Sequence, residues 1–183
     1  MKLLFIGPPG AGKGTQAGKV AARLGIPHIS TGEMFRDHVA RGTDLGRQVD
    51  AIMAAGDYVP DEITVAMLEE RIAQDDALRG YILDGFPRTV AQVMSLDQLL
   101  GDEGLDVVVV LQVEENELVE RLLARGRADD TEETIRNRLK IYLEQTQPLI
   151  DIYDDRSLTV EVDGLGDVEE VTERILSAIG EGS

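Results

Sequence analysis

One segment near the start of the chain, Gly7-Pro8-Pro9-Gly10-Ala11-Gly12-Lys13-Gly14-Thr15, constrains the fold more than any other. It follows a short apolar run, Leu3-Leu4-Phe5-Ile6, and precedes an amphipathic segment, Gln16 to Leu24. Strand, glycine-rich turn and helix in that order are the setting in which a phosphate-binding loop has meaning. The glycines let the backbone curl without side-chain clashes, so that successive N–H groups face an anion. The following helix adds the positive end of its dipole. Lys13 adds a point charge able to reach the outer phosphates of a nucleotide. A glycine-rich turn without lysine is more often a structural turn; Lys13, Thr15 and the preceding strand weigh against that reading here.

The loop departs from the strict pattern G-x-x-x-x-G-K-[ST]. Gly7, Gly12 and Lys13 fit, but Gly14 comes next and the hydroxyl arrives one place late, at Thr15. Direct ligation of magnesium by Thr15 is therefore left open.

Four further apolar or β-branched runs read as strands: His28 to Ser30, Tyr81 to Asp84, Val107 to Val113 and Leu158 to Val162. The run Val107 to Leu111 is continuously apolar, as a strand covered on both faces requires. Strands alternating with helical segments predict an α/β fold of the P-loop NTPase type. Its core is a doubly wound, five-stranded parallel sheet with helices on both faces, and ligands sit at the carboxyl ends of the strands. Residues 30–59 break the alternation. Ser30 with Glu33 reads as a capping box, and a second helix follows Thr43-Asp44. Gly56 to Pro60 ends it, and Asp61 reads as the cap of the next helix. A helical stretch from Asn116 to Arg125 is interrupted at Gly126 to Asp129 and resumes near Asp130, read as a cap with Glu133 three residues on.

The chain is long enough for one core with small insertions. Its net charge of −17 argues against nucleic acid polymers as partners. No apolar run approaches a membrane span. There are no cysteines, which excludes disulfides and thiolate metal sites and fits a reducing, cytoplasmic setting, as does an N-terminus that enters a strand with no signal-peptide pattern. Charge is unevenly spread. Residues 121–140 carry six bases against four acids, and an arginine cluster on an acidic protein suggests a local anion site.

Asp84 ends an apolar strand, and a carboxylate there, beside a phosphate loop, suits a magnesium ion held through its waters. The run Asp84-Gly85-Phe86-Pro87-Arg88-Thr89 follows. Two more segments stand out: Ile29-Ser30-Thr31-Gly32-Glu33-Met34-Phe35-Arg36, and Arg125-Gly126-Arg127-Ala128-Asp129-Asp130 with Arg138 beyond. With the loop G-x-P-G-x-G-K-G-T, these four motifs lie in the order found in adenylate kinases and related nucleoside-monophosphate kinases. The chain resembles that family over nearly its whole length.

Residue by residue, the resemblance implies the following. Gly10, Ala11, Gly12, Lys13, Gly14 and Thr15 wrap the phosphates of ATP, with Lys13 on the transferred group. Arg121 stacks near the ATP adenine, Arg125 contacts its phosphates, and Gly166 borders the base. Thr31, helped by Gln92, contacts the AMP adenine, while Arg36 and Arg88 hold the AMP phosphate. Asp57, Tyr58, Val59, Gly85, Phe86 and Pro87 complete the AMP pocket, and Arg127 and Arg138 bridge the reacting phosphates. The catalytic set is Lys13, Arg88, Arg125, Arg127 and Arg138, and Asp84 serves Mg2+. Asp57 replaces a lysine common among relatives, so only its backbone role carries over. Arg125 and Arg127 are separated by one residue where long-type relatives insert a β-rich lid. This implies a short lid, residues 124–130, without zinc, on a single domain. That domain has its core in residues 1–29, 60–123 and 131–183, and an NMP-binding segment in 30–59. The implied partners are ATP, AMP and ADP, and the implied state is a monomer.

The physics agrees with this reading. Phosphoryl transfer between two nucleotides joins two polyanions, whose charge must be neutralised and whose reacting atoms must be aligned. Guanidinium groups stay charged and bind phosphate oxygens in pairs. No general base is required, because a monophosphate with a second pKa of about 6 is already anionic near neutral pH. His28 and His38 therefore read as structural or solvent-facing. The nearest rival is a UMP/CMP kinase on the same fold; Thr31 and Gln92 favour AMP. A GTPase switch lacks support, since no N-K-x-D motif is present.

Overall fold

The apolar run at the start of the chain becomes the central strand of a parallel sheet. The structure is a computed structural model that describes residues 1–127 and 130–180. Strands β1 (Lys2–Ile6), β2 (His28–Ser30), β3 (Tyr81–Asp84), β4 (Val107–Gln112) and β5 (Thr159–Asp163) lie in the order β2-β3-β1-β4-β5. In register, Leu4 sits between Leu83 on β3 and Val108 on β4.

Because side chains alternate along a strand, one apolar run feeds two cores. Leu3, Phe5, Ile82, Val109 and Leu111 face helices α1 (Lys13–Leu24) and α9 (Val168–Ala178) through Ala17, Val20, Val171 and Ile175. Leu4, Ile6, Leu83, Val108 and Val110 face the other way. They meet Leu68 of α4 (Asp61–Ile72), Leu96 of α5 (Val90–Leu100) and Tyr153 of α8 (Leu149–Asp155). Each fully buried Leu or Phe contributes about 1.5–3 kcal/mol. A third, smaller cluster of Phe35, Val49, Val59 and Met67 joins α2 (Thr31–Ala40) and α3 (Asp44–Ala55) to α4. The predicted doubly wound α/β sheet, with helices on both faces and the successive helices α2, α3 and α4 between β2 and β3, is what the chain forms. No helix among the described residues is long and apolar enough to cross a membrane.

Local signals hold where no distant partner competes. The Thr43 side chain accepts from the Gly46 N–H at 3.0 Å, and Gly56 ends α3 in the left-handed region with φ 82°. Three expected caps fail for one shared reason. Ser30 makes no side-chain cap, because it is still paired in the sheet opposite Asp84 and β2 runs straight into α2. Asp61 begins α4 after Pro60, but its carboxylate turns to Gln92 and Thr89. Asp130 turns to two arginines, so Thr131 caps α7 (Glu132–Ile141) instead, accepting from the Thr134 N–H. The first helix begins at Lys13, earlier than its amphipathic pattern indicates, so the lysine belongs to the opening turn.

Candidate active site

Gly7, Thr31, Gly85 and Gly164, the residues that immediately follow β1, β2, β3 and β5, line one cavity of about 800 Å³. It lies outside the carboxyl ends of the strands, where an open α/β sheet places its ligands.

The loop after β1 curls as a phosphate cradle does. Gly10 and Gly12 both take φ 90°, and Lys13 folds back so that Nζ donates to the carbonyls of Gly7 at 2.7 Å and Pro8 at 3.0 Å. Burial pulls the Lys13 ammonium down to about 8; Asp84 opposes this, while Arg88 and Arg125 add to it. A cation crowded by cations is an electrostatic cost that an anionic ligand removes. The two glycines differ in surroundings. A Cβ at Gly10 would lie 2.8 Å from the Leu118 carbonyl and 3.0 Å from Leu122, whereas one at Gly12 meets nothing within 4 Å. Gly12→Ala should therefore carry only the left-handed penalty of about 1–2 kcal/mol. Gly10→Ala should add roughly 1–3 kcal/mol of overpacking. Urea unfolding of both variants checks this order of stability.

Asp84 stands at the end of β3 beside the loop, with Oδ2 about one van der Waals contact, 3.5 Å, from a Cβ built on Gly14. Burial works against its ionisation. The hydrogen bond from His28 Nε2 at 3.3 Å, then the charges of Lys13 and Arg88, nevertheless hold the carboxyl below the usual carboxylate range.

The wall formed by the start of α2 and the loop after β3 is wired through backbone carbonyls. Thr31 Oγ1 and Arg88 Nε both donate to the Gly85 carbonyl, at 2.9 and 2.6 Å. The Arg88 guanidinium lies over the Tyr58 ring, 4.9 Å from its centroid. A wide helical turn, Tyr142–Thr146, continues α7 and delivers Thr146 to the same place. Its single hydroxyl proton goes to the Arg88 carbonyl at 2.9 Å, so Tyr58 is the donor in the 2.8 Å Tyr58–Thr146 contact. Arg36 lies back over its own helix start, with Nη1 3.2 Å from a Cβ built on Gly32.

On the third side, α6 (Glu115–Arg125) ends at a left-handed Gly126. Arg125 donates twice to Asp130, at 2.8 and 2.6 Å, and Arg138 reaches the same carboxylate at 3.1 Å. Burial opposes the Asp130 charge, but the Arg125 hydrogen bond and charge keep its carboxyl below the usual range. Arg121 is held by Glu117 at 2.9 Å and by the Gly164 carbonyl at 3.3 Å.

The cavity wall contains the whole run Gly10 to Thr15, and also Thr31, Arg36, Asp57, Tyr58, Val59, Asp84, Gly85, Pro87, Arg88 and Gln92. From the far side it contains Arg121, Arg125, Arg127, Arg138 and Gly166. Phe86 is the exception. It is fully buried in the core beside Leu83, Leu96 and Tyr153, because the alternation after β3 turns its ring inward. Of the segment 124–130, Ala128 and Asp129 lie outside the described residues. Arg136 and Lys140 face away, paired with Glu132 and Glu144. His38 bonds Thr43, whereas His28 serves the site through Asp84. Asp61, Thr146 and His28 carried no signal toward the site in the sequence, since each acts on a partner that no shared motif joins to it; Asp130 shares a motif with Arg125 but reads there as a helix cap.

A family model described as adenylate kinase matches residues 5–158. An adenylate kinase of Nocardia farcinica is 52% identical over 182 residues, covering 98% of this chain and 99% of that protein. One of Nocardioides sp. is 55% identical over 185 residues, covering 98% and 97%, and one of Thermobifida fusca is 51% identical, covering 98% of each. Likeness of that extent, carried by a cleft whose loop and arginines face one another, places the chain in the adenylate kinase family.

Proposed function

We propose that this cleft carries out the family's reaction, ATP plus AMP giving two ADP, with donor and acceptor bound at opposite ends. The observation that carries the reading is the convergence of Lys13, Arg36, Arg88, Arg125, Arg127 and Arg138 on one cavity of a chain with net charge −17. Binding one nucleotide does not require cations on two facing walls; aligning two phosphate chains does.

The loop Gly10 to Thr15 with Lys13 holds the donor phosphates, and Arg121 and Gly166 border the donor base. Thr31 and Gln92 meet the AMP base, Arg36 and Arg88 hold its phosphate, and the backbone of Asp57 to Val59, with Gly85 and Pro87, walls the pocket. Arg125, Arg127 and Arg138 steady the transferred group. Asp84, ionised and set against the loop, fits a magnesium ion bound through water; the ion supplies charge neutralisation on the donor phosphates when bound. Residues 30–59 act as the AMP-binding segment and 124–130 as a short lid over a core of 1–29, 60–123 and 131–183, excluding water from the reaction. The cleft is complete within one chain, which supports a monomer, and the absence of cysteine supports a cytoplasmic setting.

Steady-state ADP formation tests the choice of acceptor. AMP should be turned over far faster than CMP or UMP, and comparable use of CMP assigns the chain to the UMP/CMP kinases instead. Thr31→Ala should weaken the AMP-over-CMP ratio and leave the KM for ATP unchanged. It should also cost about 1 kcal/mol of stability, through the lost bond to Gly85.

A further inference from the structure

Gln92 is 2% exposed and lies in the cavity wall on the first turn of α5. Both ends of its amide are engaged by groups whose polarity is unambiguous. The Arg88 backbone N–H, able only to donate, meets Oε1 at 2.7 Å. The Asp61 carboxylate, able only to accept, receives Nε2 at 2.6 Å. Its other oxygen takes the Thr89 hydroxyl at 3.2 Å, and Thr89 in turn caps α5 by accepting from the Gln92 N–H at 3.2 Å. A flipped amide would set N–H against N–H at one end and oxygen against a carboxylate at the other. The amide is therefore locked in one sense, and each atom keeps one unused position: a lone pair on Oε1 and an N–H on Nε2.

We infer that Asp61 is a specificity-positioning residue that makes the acceptor site choose a 6-aminopurine over a 6-oxopurine. The inference rests on the reading of Gln92 as a partner of the AMP base. A 6-aminopurine offers a ring-nitrogen acceptor and an amino donor side by side, matching the free N–H and lone pair of the locked amide. A 6-oxopurine offers the reverse pair, a ring N–H and a carbonyl, and matches only the flipped amide. Without the carboxylate, the flip is opposed at one end only, and rejection of the oxo base weakens. Asp61 is absent from the cavity wall and acts through Gln92. A site that pairs a polar group firmly rejects the analogue that leaves it unpaired, which is where such discrimination arises.

The test compares kcat/KM for AMP and for IMP in the whole enzyme. Asp61→Asn keeps the shape of the side chain but can present an amino group to a flipped Gln92. It should raise IMP use relative to AMP about tenfold, the value of one hydrogen-bond preference, with kcat at saturating AMP unchanged. Thr89→Ser, which keeps the hydroxyl, should retain the wild-type ratio. An unchanged IMP-to-AMP ratio in Asp61→Asn, with or without a lowered melting temperature, overturns the proposal. Gln92→Ala separates the two layers: a raised KM for AMP upholds the base contact, whereas an unchanged KM overturns that contact and the proposal with it.

Discussion

Arg88→Ala should lower phosphoryl transfer roughly 10²–10³-fold, the loss seen when one preorganised donor to a developing charge is removed. The expectation follows from how completely Arg88 is fixed. Its Nε is tied to the Gly85 carbonyl, its backbone N–H to Gln92, its carbonyl to Thr146, and its guanidinium lies on the Tyr58 ring. The cation is thus aimed before a ligand arrives, and little reorganisation remains for the reaction itself. Arg88→Lys should restore little, because an ammonium neither binds two phosphate oxygens in a plane nor stacks as a guanidinium does. The coupled assay of ADP formation measures the effect, with a thermal melt as control for folding. A rate within tenfold of wild type would remove Arg88 from the catalytic set.

What the sequence made legible, and what it hid, divides by range. The loop from Gly7 to Thr15 is read locally: glycines permit its turns, and the flanking strand and helix announce themselves by pattern. The strands were legible for the same reason, since a run such as Val107 to Leu111 has few other places to go. The arginine-bearing motifs were legible only through their resemblance to a family, because a lone arginine says nothing of where it points. Residues with a competing partner, for the backbone or for the side chain, were misread. Ser30, Asp61 and Asp130 each stand where a helix cap belongs, and each is claimed by a residue far along the chain or across a loop. A cap contributes about 1 kcal/mol, and hydrogen bonds to charged groups contribute more, so for the two carboxylates the distant partner prevails. Phe86 was misread for a related reason. It sits inside a site motif, yet the core beside Leu83 takes its ring. The chain Tyr58 to Thr146 to Arg88 carried no sequence signal at all, since it closes only when a wide helical turn meets the segment after α3.

Those long-range links also separate stability from activity. The groups that hold Arg88 in place, the Gly85 carbonyl, the Gln92 amide, the Thr146 hydroxyl and the Tyr58 ring, are neutral, so the charge of the guanidinium is left to the cavity. The ligand-free cleft therefore concentrates unfavourable charge that only a bound polyanion relieves.

Lys13→Met should show this most clearly, with kcat/KM falling roughly 10²–10³-fold while the protein melts no lower than wild type. In the ligand-free protein, burial has brought the Lys13 ammonium from its ordinary value of 10.5 down to about 8. The folded state therefore holds this proton less firmly than the unfolded chain. Between about pH 8 and 10.5 the unfolded chain binds more protons, so this group's contribution makes stability rise with pH through that window. Below it, the full cost of keeping a desolvated cation is present. Methionine fills a similar volume without that charge, and the cost disappears along with the group proposed to meet the transferred phosphoryl. The same titration should appear in catalysis. For the wild type, kcat/KM with ATP should decline as pH passes about 8, reporting the free enzyme, and the residual activity of Lys13→Met should show no such limb. An alkaline limb that survives in the variant would assign that titration to another group, and activity within tenfold of wild type would remove Lys13 from the reaction.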